Sequence, residues 1–100
     1  MATWFVTRHP GAREWIAGKR FAVDRHCDHL DPSEVGAGDV VVGSLPVHLA
    51  AAVCASGARY FNLSLDLPAD ARGMELSTDD LVRFNARLEE FTITRRGERR

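Results

Sequence analysis

An arginine and a histidine stand side by side just after a short apolar run near the start of the chain. Thr3 to Val6 is rich in β-forming residues, and Thr7-Arg8-His9-Pro10-Gly11 follows it directly. Arginine can hold a phosphoryl group with two parallel hydrogen bonds, and histidine can move a proton near neutral pH. We therefore predict Arg8 and His9 as catalytic residues, with Thr7 and Gly11 as ligand contacts. The alternative is that Arg8 caps a backbone carbonyl and His9 is a solvated loop residue.

Two further loops carry groups that can bind a small anion. Gly43-Ser44-Leu45-Pro46 follows the valine run Val40-Val41-Val42, and Asp66-Leu67-Pro68 ends a later strand pattern. We predict ligand contacts along all of Gly43, Ser44, Leu45 and Pro46 and from Asn62, Ser64 and Asp66. Ser44 can instead cap the following helix, and a polar strand face is as often a solvated surface or a dimer contact.

Alternating strand and helix patterns position these loops. Strands are predicted at Thr3–Val6, within Arg20–Leu30, at Val40–Val42, at Arg59–Leu65 and at Phe91–Thr94. Helices are predicted at Gly11–Gly18, from Val47 to a cap at Gly57, and after Ser77 with Leu81, Phe84 and Leu88 at helical spacing; Asp31 to Glu34 predicts a helical turn. This alternation predicts an α/β fold, a mostly parallel sheet with helices on both faces. Parallel pairing would place the three loops on one edge, where ligands of such sheets bind.

The sequence motifs of several kinds of active site are absent from this chain. Neither G-x-G-x-x-G nor G-x-x-x-x-G-K-[ST] occurs, and there is no G-x-S-x-G elbow. His26-Cys27-Asp28-His29 contains metal-ligand residue types, but neighbours on a strand point to opposite faces, so a structural or solvated position is favoured. Cys54 lies on an apolar helix stripe and is predicted in the core. We predict no metal and no cofactor.

Composition and charge limit the partners. The chain has 100 residues, 45% hydrophobic and 27% charged, which predicts one globular domain. Because residues 95–100 hold four arginines and one glutamate, they carry +3 of the net charge of -1, and residues 1–94 carry -4. We expect residues 1–94 to form the domain and residues 95–100 a flexible tail.

The negative charge of residues 1–94 disfavours binding of duplex nucleic acid. No apolar run is long enough to cross a membrane, so we expect a cytoplasmic protein.

Four segments taken together resemble one known family. They are Trp4 to Ala12, His29 to Asp31, Gly38 to Pro46 and Arg59 to Pro68. In combination they resemble the csx-sixteen family of small type III CRISPR-associated proteins, over nearly the whole chain except the tail. The resemblance implies a Rossmann-like domain related to the CARF sensors, working as a homodimer. It also implies a ring nuclease that cleaves cyclic oligoadenylate, above all cyclic tetra-adenylate, to linear di-adenylate and so switches off the antiviral signal.

The activity that the resemblance implies fits the predicted residues without a metal. In such cleavage the ribose 2′-hydroxyl of the substrate attacks its own phosphorus in line, so the protein needs no nucleophile of its own. Arg8 would stabilise charge on the phosphoryl oxygens and His9 would move a proton. Two other functions stay open at this point. One is a sponge that binds the cyclic nucleotide without cutting it, and the other is a structural subunit of a CRISPR effector complex.

Overall fold

The computed structural model describes residues 1–19 and 21–97, which form an α/β sandwich around one sheet. The strands are β1 (Thr3–Val6), β2 (Arg25–Cys27), β3 (Val40–Gly43), β4 (Arg59–Ser64) and β5 (Arg87–Phe91). The α-helices are α1 (Pro10–Ala17), α2 (Val47–Ala55) and α3 (Thr78–Arg83), and short 3-10 helices occupy Pro32–Glu34 and Ala69–Ala71. Arg20, with which one predicted strand segment begins, and residues 98–100 of the predicted tail lie outside the described residues. Residues 92–97 have no helix or strand.

The sheet confirms the predicted mostly parallel arrangement. Its strand order is β2-β1-β3-β4-β5, and the pairs β1–β2, β1–β3 and β3–β4 are parallel. Only the last pair, β4–β5, is antiparallel. The valine run of β3 lies in the middle of the sheet, where Val41 and Val42 are fully buried on opposite faces. A continuous run of β-branched residues suits such a strand, because both faces of a parallel sheet are covered.

Helices cover both faces of the sheet, as the alternation of elements predicts. One face packs α2 and the first 3-10 helix against a core that includes Trp4, Val41, Val53 and Tyr60. The opposite face packs α1 and α3 against a core that includes Phe5, Trp15, Val42, Leu63 and Leu81. We call these the α2 face and the α1 face. Because side chains alternate along a strand, successive residues of β1 supply the two cores in turn.

The predicted helix boundaries hold for the first two helices. The first was predicted from Gly11 to Gly18 and spans Pro10–Ala17, with a proline in its first turn. The second begins at Val47, and Gly57 follows its end with φ of +90°. There the Gly57 amide donates to the Cys54 carbonyl at 3.1 Å, and the Ala58 amide donates to the Val53 carbonyl at 3.4 Å. This is the glycine cap that the sequence predicts.

The end of the chain differs from the prediction. Ser77 and Asp80 form the predicted capping box at the start of α3. The helix ends at Arg83, however, and the last strand is Arg87–Phe91, so the helical spacing extended to Leu88 and the strand placed at Phe91–Thr94 are wrong. Asn85 adopts φ of +57° and ends the helix. Leu88 then lies opposite Leu63 in the sheet, where its side chain adds to the α1-face core.

The segment between α1 and β3 contains less strand than its alternation suggests. β2 has three residues and pairs with β1, with Cys27 opposite Val6. The predicted helical turn is the 3-10 helix Pro32–Glu34, and the Asp31 side chain caps it by accepting from the Ser33 amide. Cys54, predicted in the core, is half-buried instead and its sulfur accepts from the Ile93 amide at 3.4 Å. Within the described residues, no helix has the length and apolar character needed to span a membrane.

Candidate functional site

The order of the strands reverses between β1 and β3, and this defines the candidate site. From β1 the chain first adds β2 on one side and then β3 on the other. In open α/β sheets, ligands bind at the carboxyl ends of the strands on either side of such a reversal. The loops after β1, β3 and β4 all leave this carboxyl edge, because the three strands are parallel. The structure therefore confirms that the three predicted loops share one edge of the sheet.

The backbone of the first loop is held in place while its two predicted catalytic side chains are exposed. The Thr7 amide donates to the Cys27 carbonyl at 3.0 Å, and Thr7 Oγ1 accepts from the His9 amide at 3.1 Å. The His9 carbonyl accepts from the Ala12 amide at 3.0 Å at the start of α1. Arg8 and His9 are exposed, and Arg8 forms no ion pair with any of the described residues. Both side chains are available to a ligand.

Close packing around Gly11 requires a residue without a side chain at this position. It is buried, and a Cβ atom there would lie 2.4 Å from the Leu76 carbonyl oxygen. The Thr78 hydroxyl also lies 3.1 Å from the Gly11 carbonyl oxygen, so this glycine brings α1 against the start of α3. Its amide has no acceptor in the described part of the chain. A contact between that amide and a ligand stays a prediction.

The second loop is tied to β4 rather than to the helix that follows it. Gly43 permits close contact with β1, since a Cβ atom there would lie 2.6 Å from the Val6 carbonyl oxygen. The Ser44 hydroxyl donates to the Leu63 carbonyl at 2.8 Å. Pro46 stands at the N-cap of α2 with no side-chain cap, so the alternative that Ser44 caps this helix is wrong. Leu45 packs against the α2-face core.

Two helices begin at the strand reversal, one on each face. The Pro46 carbonyl accepts from the Leu49 and Ala50 amides, both at 3.0 Å, which leaves the Val47 and His48 amides without an acceptor among the described residues. Free amides at a helix start and the positive end of its dipole favour an anion. The α2 start, the α1 start and Arg8 together make this edge suited to a phosphate group.

Polar side chains on β4 form a hydrogen-bonded row on the α2 face. The Tyr60 hydroxyl lies 2.6 Å from Asn62 Oδ1, and Asn62 Nδ2 donates to Ser64 Oγ at 2.9 Å. The structure thus brings the predicted contacts Asn62 and Ser64 together, next to the loop after β3. It holds Asp66 apart from them, because the carboxylate accepts from Asn85 Nδ2 and from the Arg87 guanidinium, both at 3.0 Å. These two hydrogen bonds, from Asn85 and then Arg87, lower the pKa of Asp66.

Three residues at this edge were not among the predicted site residues. Tyr60 is a buried member of the row, and its hydroxyl accepts from the Leu45 amide at 3.0 Å. His48 is exposed in the first turn of α2, and His29 is exposed just after β2, the neighbour of β1. The i, i+2 spacing of Tyr60 and Asn62 was a usable signal for the first. The positions of the two histidines follow from the parallel pairing of β2, β1 and β3, because each histidine comes after the carboxyl end of one of these strands.

In the segment from His26 to His29, the first two residues belong to β2, and these two alternate as a strand pattern predicts. The His26 ring meets the Phe5 ring edge-on on the α1 face, with centroids 5.9 Å apart. Cys27 packs against the core of the α2 face. Neighbouring side chains therefore point away from each other across the sheet. Burial raises the pKa of the Cys27 thiol.

A surface cavity of about 390 Å³ lies between the second 3-10 helix and α3, and Pro68 from the loop after β4 is part of its lining. Its lining includes Asp70, Asp80 and Arg83. None of the predicted site residues lines it, and two carboxylates beside one guanidinium do not suit a phosphate ligand. The edge at the strand reversal is therefore the better candidate.

Comparisons with known proteins give one match. Residues 4–94 match the model of a protein family described as "Putative CRISPR-associated protein (Cas_VVA1548)". Searches of curated proteins and of solved structures gave no significant match. The matched segment begins at the second residue of β1 and ends beyond β5, so it contains all of the sheet except Thr3 and every loop of the candidate site. The chain therefore belongs to the CRISPR-associated family Cas_VVA1548.

Proposed function

We propose that this protein is a metal-independent ring nuclease of the csx-sixteen type, which cleaves cyclic oligoadenylate, above all cyclic tetra-adenylate, to linear di-adenylate. One observation carries the proposal: the exposed Arg8 and His9 and the starts of α1 and α2 lie at a single strand reversal. Membership of a CRISPR-associated family supports a nucleotide signal of type III CRISPR defence as the ligand. Destroying that signal would switch the response off.

The reaction needs positioning and charge stabilisation more than a protein nucleophile. The ribose 2′-oxygen forms a bond to the adjacent phosphorus while the bond from phosphorus to the 5′-oxygen breaks. The 2′-hydroxyl loses a proton and the departing 5′-oxygen gains one, which leaves a 2′,3′-cyclic phosphate and a 5′-hydroxyl. Two such cuts convert cyclic tetra-adenylate into two linear di-adenylates. Rate acceleration then comes from alignment of the 2′-oxygen and from groups that meet the charge on the phosphoryl oxygens.

The residues of the edge divide these tasks. Arg8 and the free amides at the helix starts face the phosphoryl oxygens, where a preorganised positive field is most effective. His9 exchanges protons with the 2′- or 5′-oxygen. Ser44, Asn62 and Ser64 position ribose and phosphate groups from the neighbouring strands. A two-fold dimer would present this edge twice to a ring that shares its symmetry, so the proposal includes a homodimer.

The test is turnover with excess substrate. Purified protein at a small fraction of the concentration of cyclic tetra-adenylate is incubated with a chelator, and the products are separated by chromatography. We expect many turnovers to linear di-adenylate with cyclic phosphate ends. Arg8→Ala should lower kcat/KM about 100-fold or more, as loss of one charge-stabilising group does. His9→Ala should lower it at least about 100-fold, the lower range for a proton-transfer group.

A matched control separates site chemistry from net charge. Arg59→Ala removes an exposed arginine at the first residue of β4, on the edge of the sheet opposite the strand reversal, and should change kcat/KM by no more than about twofold. An intact ring that co-elutes with the protein would overturn the nuclease and identify a sponge. A ring that neither binds nor reacts would overturn both and leave the structural-subunit function.

A further inference from the structure

The hydroxyl of Tyr60 joins the loop after β3 to the polar row on β4. Its side chain is 1% exposed, and the ring packs in the α2-face core with Val41 and Val53. From the second residue of β4 it leans toward the carboxyl edge of the sheet. Its hydroxyl oxygen lies 3.0 Å from the Gly43 carbonyl oxygen and 3.0 Å from the Leu45 amide nitrogen. A phenol in a core needs a hydrogen-bond partner, and this one has several.

The direction of each hydrogen bond follows from the number of protons. The Leu45 amide can only donate, so the Tyr60 oxygen accepts there. The hydroxyl has one proton to give, and the contact with Asn62 Oδ1, at 2.6 Å, is shorter than the contact with Gly43. Burial raises the pKa of Tyr60, so the hydroxyl keeps this proton at neutral pH.

Tyr60 thereby determines what Ser64 can offer to a ligand. With its Oδ1 atom held by Tyr60, the Asn62 amide turns Nδ2 toward Ser64 Oγ at 2.9 Å. Because Nδ2 donates, Ser64 Oγ accepts and its own proton is left to be donated. A serine at the carboxyl end of β4 is then a hydrogen-bond donor for a phosphoryl or ribose oxygen.

We propose that Tyr60 is a positioning residue, which holds the loop after β3 through Leu45 and keeps the Ser64 hydroxyl a donor through Asn62. The inference rests on the proposed function for its ligand, a cyclic oligoadenylate. It adds a residue whose phenol is buried and does not touch that ligand. Tyr60→Phe keeps the packed ring and removes only the oxygen, so it tests the hydrogen bonds without leaving a large cavity in the core.

The first arm of the test needs no ligand. Amide hydrogen exchange of Leu45 is measured by NMR in the unmodified protein and in Tyr60→Phe. Loss of one hydrogen bond should speed it about 10-fold. The matched control is Ser56→Ala, which removes a hydroxyl that donates to the Val53 carbonyl at 2.7 Å after the end of α2, and exchange of Leu45 should not change. Unchanged exchange of the Leu45 amide in Tyr60→Phe would overturn the proposal that Tyr60 holds the loop after β3.

The second arm measures cleavage of cyclic tetra-adenylate by Tyr60→Phe, Ser64→Ala and the double variant. We expect KM to rise about 10-fold in each, with kcat within about twofold, because a binding contact is lost. The double variant should be no worse than Tyr60→Phe alone, since Ser64→Ala removes a contact that Tyr60→Phe has already lost. Losses of kcat/KM that add up in the double variant would overturn the inference. So would a lower kcat at unchanged KM in Tyr60→Phe, because that result indicates a smaller folded fraction. Asn62→Ala breaks the same row of hydrogen bonds without changing the buried ring of Tyr60. Its KM should rise as much as that of Tyr60→Phe.

The two arms fail in different ways. If the unmodified protein does not bind or cut the ring, the proposed function fails, while hydrogen exchange at Leu45 still decides whether Tyr60 holds the loop. If the unmodified protein cuts the ring and Tyr60→Phe cuts it with the same KM, the positioning of Ser64 by Tyr60 fails and the proposed function stands.

Discussion

At the strand reversal, the type of certain residues depends on the space around them as much as on their chemistry. Gly43 and Gly11 stand at the ends of the two loops, and each faces a backbone carbonyl oxygen closer than a Cβ atom allows. The first lets β3 approach β1, and the second lets α1 approach the start of α3. Both contacts lie beside the exposed Arg8 and His9. The geometry of the proposed site therefore depends on two positions without a side chain.

Gly11→Ala should destabilise the protein. The new Cβ atom would lie 2.4 Å from the Leu76 carbonyl oxygen, and backbone atoms cannot move aside as a flexible side chain can. We expect the free energy of unfolding to fall by about 3 kcal/mol, the upper range for overpacking, as measured by urea denaturation.

Gly18→Ala is the matched control for that variant. It adds the same methyl group at the end of α1, where φ is -80° and the nearest atom is 3.5 Å away. The free energy of unfolding should change by no more than about 0.5 kcal/mol. Equal effects of the two variants would show that the contact with Leu76 is not tight.

At the scale of elements, the boundary between α3 and β5 depends on one residue with a left-handed backbone. Asn85 follows the helix with φ of +57°. Its amide donates to the Val82 carbonyl at 3.1 Å, and the Ala86 amide donates to the Leu81 carbonyl at 2.9 Å. This pair of hydrogen bonds is the Schellman motif, in which asparagine replaces the usual glycine. The chain then reverses into the antiparallel edge strand.

Two substitutions at Asn85 separate its backbone conformation from its side-chain contact. Asn85→Gly and Asn85→Ala both remove the hydrogen bond to Asp66, but only glycine adopts positive φ without strain. We expect the glycine variant to be more stable than the alanine variant by about 1 kcal/mol in urea denaturation. An alanine variant as stable as the glycine variant would contradict a left-handed residue at this position.

At the scale of the whole molecule, stability should fall in acid. Five carboxyl groups have a lowered pKa because each accepts hydrogen bonds in the folded state; they are Asp31 from Ser33, Asp39 from Ala2 and Gly36, Asp66 from Asn85 and Arg87, Asp80 from Ser77, and Glu90 from Arg59. A lowered folded pKa stabilises the fold above the unfolded pKa, about 4 for these groups. That stabilisation is lost as the pH falls through each folded pKa.

The contribution of these five groups to the free energy of unfolding should therefore be constant from pH 7 to about pH 5 and decrease below about pH 4. Urea denaturation at several pH values measures this. Asp39→Asn, which removes one of the five groups, should make the decrease less steep. A stability that rises on acidification would contradict the direction of all five shifts.

The arginine-rich tail provides a test of the function of the whole chain. Residues 95–100 follow the last strand and carry +3 in the sequence. If the proposed edge performs the reaction, deletion of residues 95–100 should leave kcat/KM for ring cleavage within about twofold, because none of these residues is among the proposed site residues. Loss of the protein's function on deletion would instead favour a structural subunit that contacts RNA through this tail.

Much of this architecture follows from local patterns. The valine run of β3, the proline and glycine at the ends of the helices, and the capping box at Ser77 act within a few residues, so the sequence predicts these elements at nearly their observed positions. The same patterns predict that Arg8, His9 and Ser44 follow parallel strands and so share one edge. Chemistry at that edge stays a prediction, since parallel pairing explains the position of these residues and not their reaction.

Long-range contacts determined the rest. Leu88 has helical spacing from Leu81 and Phe84, but it lies in a strand because Leu63, 25 positions earlier, stands opposite it in the sheet. The alternation of β4 assigns Tyr60 to a face, yet only the packing of β3 beside β4 brings its hydroxyl to Leu45 and Gly43. Hydrogen bonds between segments distant in sequence depend on strand order, and local spacing in one sequence does not contain that order.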